Sequence, residues 1–313
     1  MNNLLDPAIL FFVFGIVAGL IKSNLEIPPQ ITKFLSLYLL MALGLKGGFA
    51  LANGGFSYDI VAVVSIGLVL ALIIPAIGYV ILRRVLNGYD SAAVAATYGS
   101  VSAVTFVTAT QYLANNNIEF GGFMAAVMAI MESPAIIMAV ALATWTRANH
   151  TVNIKSVLHE SFTDGAHILL LASLAIGIFT GSAGETVMKP FTGDLFKGLL
   201  AFFLLDMGLQ VAKRIPELRN RSFSLLTYAV IAPIIHSILA LALCLAFGVS
   251  LGNTALLMVL AASASYIAVP AVIKFAIPEA NPSIYFGLSL GITFPFNVLV
   301  GIPLYTEIAQ KFS

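Results

Sequence analysis

Tyr98-Gly99-Ser100-Val101-Ser102-Ala103-Val104-Thr105 and Ala262-Ser263-Ala264-Ser265-Tyr266-Ile267-Ala268-Val269-Pro270 are two hydroxyl clusters set inside long apolar runs. Each contains a helix breaker, Gly99 in the first and Pro270 in the second. Ser100-Val101-Ser102 lines up with Ser263-Ala264-Ser265 at a shift of 163 residues. Working outward, the surroundings repeat as well. Gly15-Ile16-Val17-Ala18-Gly19 lines up with Gly177-Ile178-Phe179-Thr180-Gly181 at a shift of 162. Lys33, with Leu39–Leu45, lines up with Lys197 and Phe203–Leu209 at 164, and Glu132-Ser133-Pro134 with Thr293-Phe294-Pro295 at 161. One match would be noise in an apolar chain. Four in order at a nearly constant shift predict an internal duplication.

Composition supplies the solvent. The 313 residues are 60% apolar and only 9% charged, with a mean hydropathy of +1.00. Soluble domains carry about 25% charged residues, so this chain cannot cover a water-facing surface. Cytosolic enzymes and nucleic-acid binders are excluded, and a net charge of +1 leaves no footprint for a polyanion. The single Cys244 rules out a disulfide scaffold and a CxxC metal site. A spanning helix needs about 20 mostly apolar residues. Ten runs qualify: 8–22, 31–52, 58–82, 91–114, 119–146, 165–182, 196–212, 223–249, 254–276 and 282–306. Turn residues such as Pro28-Pro29, Asn87-Gly88, Asn115-Asn116-Asn117 and Gly181 separate them.

The expected fold is therefore an all-α polytopic membrane protein. Residues 1–146 form a first five-helix repeat, 147–164 a linker, and 165–313 a second repeat. Five is odd, so the second copy runs inverted through the membrane, the architecture of secondary transporters, with the fourth and ninth helices interrupted. Orientation follows Lys and Arg. Lys22, Lys33, Arg83, Arg84, Arg147, Lys155, Lys213, Arg214, Arg219, Arg221 and Lys274 fall on one side, against Lys46, Lys189, Lys197 and Lys311 on the other. That asymmetry places the linker in the cytoplasm and both termini outside. Met1–Pro7 holds no basic residue, so the first run reads as a membrane helix rather than a cleaved signal.

Transporters of this architecture bind substrate where interrupted helices meet, because free N–H groups and half-helix dipoles replace the solvation of an anion. The two hydroxyl clusters fit that role, although small residues and hydroxyls also serve close helix packing. Ionisable groups in membrane helices are the next candidates. Glu132 precedes Pro134, where a kink frees carbonyls; carboxylate, carbonyl and hydroxyl oxygens suit Na⁺ or a proton, while a cap on a broken helix end is the plainer role. Asp206 pairs with Lys213 or a neighbouring subunit, or takes part in transport. His236, near Pro233, reads as a hydrogen-bonded structural histidine. Lys46 and Lys274 snorkel to headgroups, and Tyr38, Trp145 and Tyr305 mark interfaces. No HExxH, Walker A or CxxC occurs and no Ser/His/Asp set can be built. The chain reads as a non-enzyme without a cofactor.

A family resemblance sits on several segments in order: Leu43-Gly44-Leu45-Lys46-Gly47-Gly48, Tyr98–Ser102, Asp194–Leu200, Met207-Gly208-Leu209, Ile215–Arg219, Ile231–His236 and Ile277–Ser283. Together they resemble the sodium-dependent bicarbonate transporters of the SbtA type, known from cyanobacteria, over about Gly15 to Pro303. The chain is similar to a divergent, non-cyanobacterial member. The resemblance implies a homotrimer in the bacterial inner membrane, importing bicarbonate with Na⁺ as the coupling ion. It further implies a gate domain, a moving core, and a PII-like cytoplasmic regulator. Carried onto this chain, the anion contacts are Gly99, Ser100, Ser102, Thr105, Ser263, Ser265 and Tyr266. The cation contacts are Glu132, Ser102, Thr105, Ser265 and Thr293, with no other metal.

Two departures follow. The family pattern in the ninth helix reads roughly Ser-Ser-Ser-Asp-Ile-Ser-Gly-Pro; here Tyr266 replaces the acidic residue, and Ala268 and Val269 replace a hydroxyl and a glycine. The cation site should weaken and the anion sit differently. The linker lacks the long Ser-rich insertion, which removes support for the PII-like partner. The alternative is a transporter of another small anion or organic acid, coupled to Na⁺ or H⁺, with an anion channel behind it.

Overall fold

The computed structural model describes residues 5–54, 58–146, 165–219 and 221–312. They are helical, with no strand among them. The helices are α1 (Pro7–Leu20), α2 (Pro29–Gly54), α3 (Tyr58–Leu82), α4 (Gly88–Gly99), α5 (Ala103–Asn115) and α6 (Met124–Thr146). Then follow α7 (Gly165–Thr192), α8 (Asp194–Leu218), α9 (Phe223–Ala246), α10 (Leu251–Ala262), α11 (Ala268–Ala276) and α12 (Pro282–Phe312). Among the described residues, seven helical segments, counting Gly88–Asn115 as one, are long and apolar enough to cross a membrane. Large apolar side chains such as Phe14, Val80, Phe179 and Ile235 are exposed along them, as lipid-facing helices require.

The two expected interruptions are present. α4 ends at Gly99, Ser100 and Ser102 are extended, and Ser102 caps α5. α10 ends at Ala262, and α11 begins six residues later, at Ala268. Pro270 fits the second break: it sits in the first turn of α11, where its missing N–H would be an orphan in any case. α10 is buried around its whole circumference, from Gly252 to Ala262, and α4 nearly so. Helices apolar on every side belong in the centre.

Around this centre two helix pairs pack through glycines. Gly15 of α1 lies on Gly208 of α8, and Gly48 of α2 lies on Gly177 of α7. A Cβ on Gly208 would collide with the Phe12 carbonyl, and one on Gly177 would come within 2.6 Å of the Leu45 carbonyl. Small residues permit this backbone approach. α2 and α8 are further tied by Thr32 Oγ1, which donates to Asp206 Oδ2 at 2.8 Å. Asp206 is thus a buried acceptor that joins two helices.

Several expectations need correction. The sixth apolar run does not stop at 182: α7 continues to Thr192 across a kink at Gly181 (φ 52°), which only glycine adopts readily. The last run reaches Phe312 and contains π-helical turns at Ser289–Thr293 and Asn297–Gly301. They flank Pro295, which has no N–H to give to the preceding turn. Tyr38 and Tyr305 are not interface anchors. Both are buried, donating to the Phe191 carbonyl and, at 3.0 Å, to Asn297 Oδ1. Lys46 is exposed, with its ammonium 4.1 Å from the centre of the Phe196 ring. The side chain of Trp145 and the linker 147–164 lie outside the described residues.

Candidate anion and cation site

The two breaks are latched to each other. Ser102 N donates to Ser263 Oγ at 2.9 Å, and Ser265 N to the Thr97 carbonyl at 2.8 Å. Ser263 Oγ in turn donates to the Leu260 carbonyl at 2.8 Å. Its proton is committed, and Ser263 holds the breaks together from outside the cavity lining. From α12, Asn297 donates to the Ala262 carbonyl at 2.8 Å, satisfying an orphan at the end of α10.

Beside the latch lies a cavity of about 90 Å³. Its polar lining is Ser102, Glu132, Ser265 and Tyr266, with Ser36 from α2. A hydroxyl has one proton and two lone pairs. Ser102 Oγ accepts from Thr105 N (3.2 Å) and from Thr105 Oγ1 (3.0 Å), so its proton is what remains to give. The Tyr266 phenol stands next to it and donates to Met207 Sδ at 3.5 Å. Ser265 Oγ accepts from Val269 N at 3.3 Å and likewise keeps a proton to donate. Both serines therefore cap half-helices with their lone pairs; the Ser102 proton is shared with the Tyr266 hydroxyl, and the Ser265 proton is left to give at the cavity.

The same oxygens, with the Glu132 carboxylate, form a hard donor set suited to an alkali cation. Glu132 is buried on α6, which runs unbroken through Pro134, so it does not cap a broken helix end. No group of three or more His, Cys, Asp or Glu occurs among the described residues.

Not every expected site residue joins this cavity. Thr105 stands one bond behind Ser102. Gly99 packs on Pro75 of α3, where a Cβ would lie 2.6 Å from the ring. Ser100 Oγ is buried without a partner in the first break, outside the cavity lining. Thr293 is spent elsewhere: it donates to the Ala229 carbonyl at 2.7 Å and pairs with the Tyr98 hydroxyl at 2.6 Å. Sequence reasoning missed Ser36, Met128 and Asn297. A lone polar residue within an apolar helix, as at Ser36 and Asn297, was the available signal. His236 is buried on α9, with a hydrogen bond to the Ala261 backbone, as a structural histidine would be.

Long apolar helices wrapped around two broken, latched spans define a multi-pass helical membrane protein. The chain belongs to the Na⁺-dependent bicarbonate transporter superfamily, whose family model matches residues 7–310. Among curated proteins none matches it.

Proposed function

We propose that the chain is a secondary active transporter that imports a small anion, bicarbonate first, driven by the sodium gradient through alternating access. The observation that carries this reading is the cavity beside the latch, where one carboxylate and several hydroxyl donors converge. Such a set can hold a cation and an anion together, each offsetting the other's lost hydration. No covalent step and no cofactor beyond the coupling ion are needed.

The wider architecture belongs to the same proposal: ten spans, in two inverted repeats at 1–146 and 165–313, joined by a cytoplasmic linker at 147–164. Exchange of partners supports it. By the sequence correspondences α1 matches α7 and α2 matches α8, and each packs on the other's counterpart, α1 on α8 and α2 on α7. A pseudo-two-fold axis produces that exchange. α1, α2, α7 and α8 would form the gate, the remaining helices the moving core, and three copies the assembly. The cavity is lined by Ser36 and Ala166, near the helix ends that the charge asymmetry assigns to the cytoplasm, which fits an inward-facing state in a bacterial inner membrane.

Labelled-bicarbonate uptake into proteoliposomes tests the reading. Uptake should saturate, and should require an inward sodium gradient. Uptake that ignores the gradient and never saturates would indicate a channel instead.

A further inference from the structure

The cavity beside the latch has a mixed lining. The hydroxyls of Ser102, Ser265 and Tyr266 come from the breaks. α2 and α7 contribute Leu40, Ala166 and Leu170, with the Ser36 hydroxyl among them. Val101, Val104 and Met128 extend the apolar wall. Leu40, Leu170 and Met128 are all buried, so this wall is fixed by packing. Among the described residues, no Lys, Arg or His lines the cavity.

Bicarbonate carries oxygen at every corner and no apolar end, so the hydroxyls and the bound cation can serve it while the hydrocarbon part of the lining gains nothing from it. A short alkyl carboxylate divides its chemistry as the cavity does. Its two oxygens meet the donors and the bound cation, and its methyl or ethyl group meets Leu40, Met128 and Leu170. About 90 Å³ is several times the ~15 Å³ of such volume that one water needs, which leaves room for a short alkyl tail beside the carboxylate and little more.

We propose that this site takes short-chain monocarboxylates, of acetate and propionate size, as a substrate class that competes with bicarbonate. The proposal rests on the sodium-coupled anion reading above and specifies what its anion site selects. The selecting residues are Leu40, Met128 and Leu170, which touch the tail, while Ser102 and Ser265 hold the carboxylate whichever anion is bound.

Equilibrium binding to the detergent-solubilised full-length protein tests it, since protonated acids cross bilayers unaided and would blur an uptake assay. Labelled propionate should bind only with sodium present, and unlabelled bicarbonate should displace it. Along formate, acetate and propionate, affinity should rise by about fourfold per carbon, the value of burying one CH₂. Leu170→Thr should flatten that series by weakening propionate more than formate; a variant that had merely lost packing would weaken both alike. A flat series in the wild type would overturn the proposal. So would sodium-dependent bicarbonate binding that excess propionate leaves untouched, with the sodium-coupled reading intact. Absence of sodium-dependent binding for every anion, bicarbonate included, would overturn both.

Discussion

Ser263 and Ser265 stand two residues apart in one break and have opposite duties. Ser263 accepts from Ser102 N and gives its proton to the Leu260 carbonyl, outside the cavity lining, whereas Ser265 lines the cavity and keeps its proton. Ser263→Ala should strand the buried Ser102 N–H at a cost of about 1–3 kcal/mol, lowering the unfolding temperature of the solubilised protein while leaving anion affinity in the surviving protein near wild type. Ser265→Ala should do the reverse, weakening anion binding by about 0.5–3 kcal/mol with a smaller loss of stability. Equal effects on both measurements would erase the distinction. At Glu132 the competing roles also separate. As a sodium ligand, Glu132→Gln lowers apparent sodium affinity and affects anion affinity less at saturating sodium; as a proton carrier it abolishes the pH dependence of uptake. Sodium titration at several pH values decides, and an active Glu132→Gln protein with unchanged sodium dependence would remove Glu132 from the cation site. Glu132 was legible in the sequence because a carboxylate in an apolar run is costly wherever it sits. The division of labour between the serines was not, because it depends on which backbone donor from the other break arrives beside each hydroxyl.

Elements were readable where the chain itself carries the instruction. Pro270 falls in the first turn of α11, Asn115-Asn116-Asn117 ends α5, and the runs at 58–82 and 223–249 lie within a few residues of α3 and α9. They were misread where tertiary packing overrides local signals. Gly181 reads as a terminator but serves as a kink, and α7 resumes for eleven residues beyond it to Thr192. The glycines at helix crossings were visible as repeats, yet their partners were not, because partner choice needs the three-dimensional exchange of α1 with α8 and α2 with α7. Two glycines of α8 make that point testable. Gly208→Ala and Gly198→Ala make the same chemical change on one helix, and intrinsic propensity favours alanine by about 1 kcal/mol at each. Gly198 has nothing within 4 Å of an added Cβ, whereas at Gly208 that atom would collide with the backbone of α1. Gly198→Ala should keep or raise the unfolding temperature, and Gly208→Ala should lower it and broaden the size-exclusion peak. Similar behaviour of the two would show that α1 does not lie on α8 in this register.

On the scale of the whole molecule, alternating access requires the gate and core to part at one membrane face while they close at the other. Asp6, at the start of α1, and Asn115, at the end of α5, meet across that division: Asn115 Nδ2 donates to Asp6 Oδ2 at 2.7 Å. By the Lys and Arg asymmetry this contact lies on the external face, opposite the end of the cavity at Ser36 and Ala166. An exposed hydrogen bond contributes about 1 kcal/mol, weak enough to break in every cycle. Cysteines placed at both positions test orientation and motion together. The native Cys244 is fully buried and stays out of the reaction. Impermeant thiol reagents applied outside intact cells should label Asp6→Cys and Asn116→Cys, but not Arg84→Cys or Arg219→Cys. A short bifunctional cross-linker joining Asp6→Cys to Asn115→Cys should hold the external face shut and stop sodium-driven uptake, and a reducible linker should restore it on cleavage. External silence at Asn116→Cys would reverse the topology and the repeat argument built on it. Undiminished uptake through a fully cross-linked protein would leave the topology standing but place α1 and α5 in one rigid body, so that the moving boundary would have to be sought between other helices.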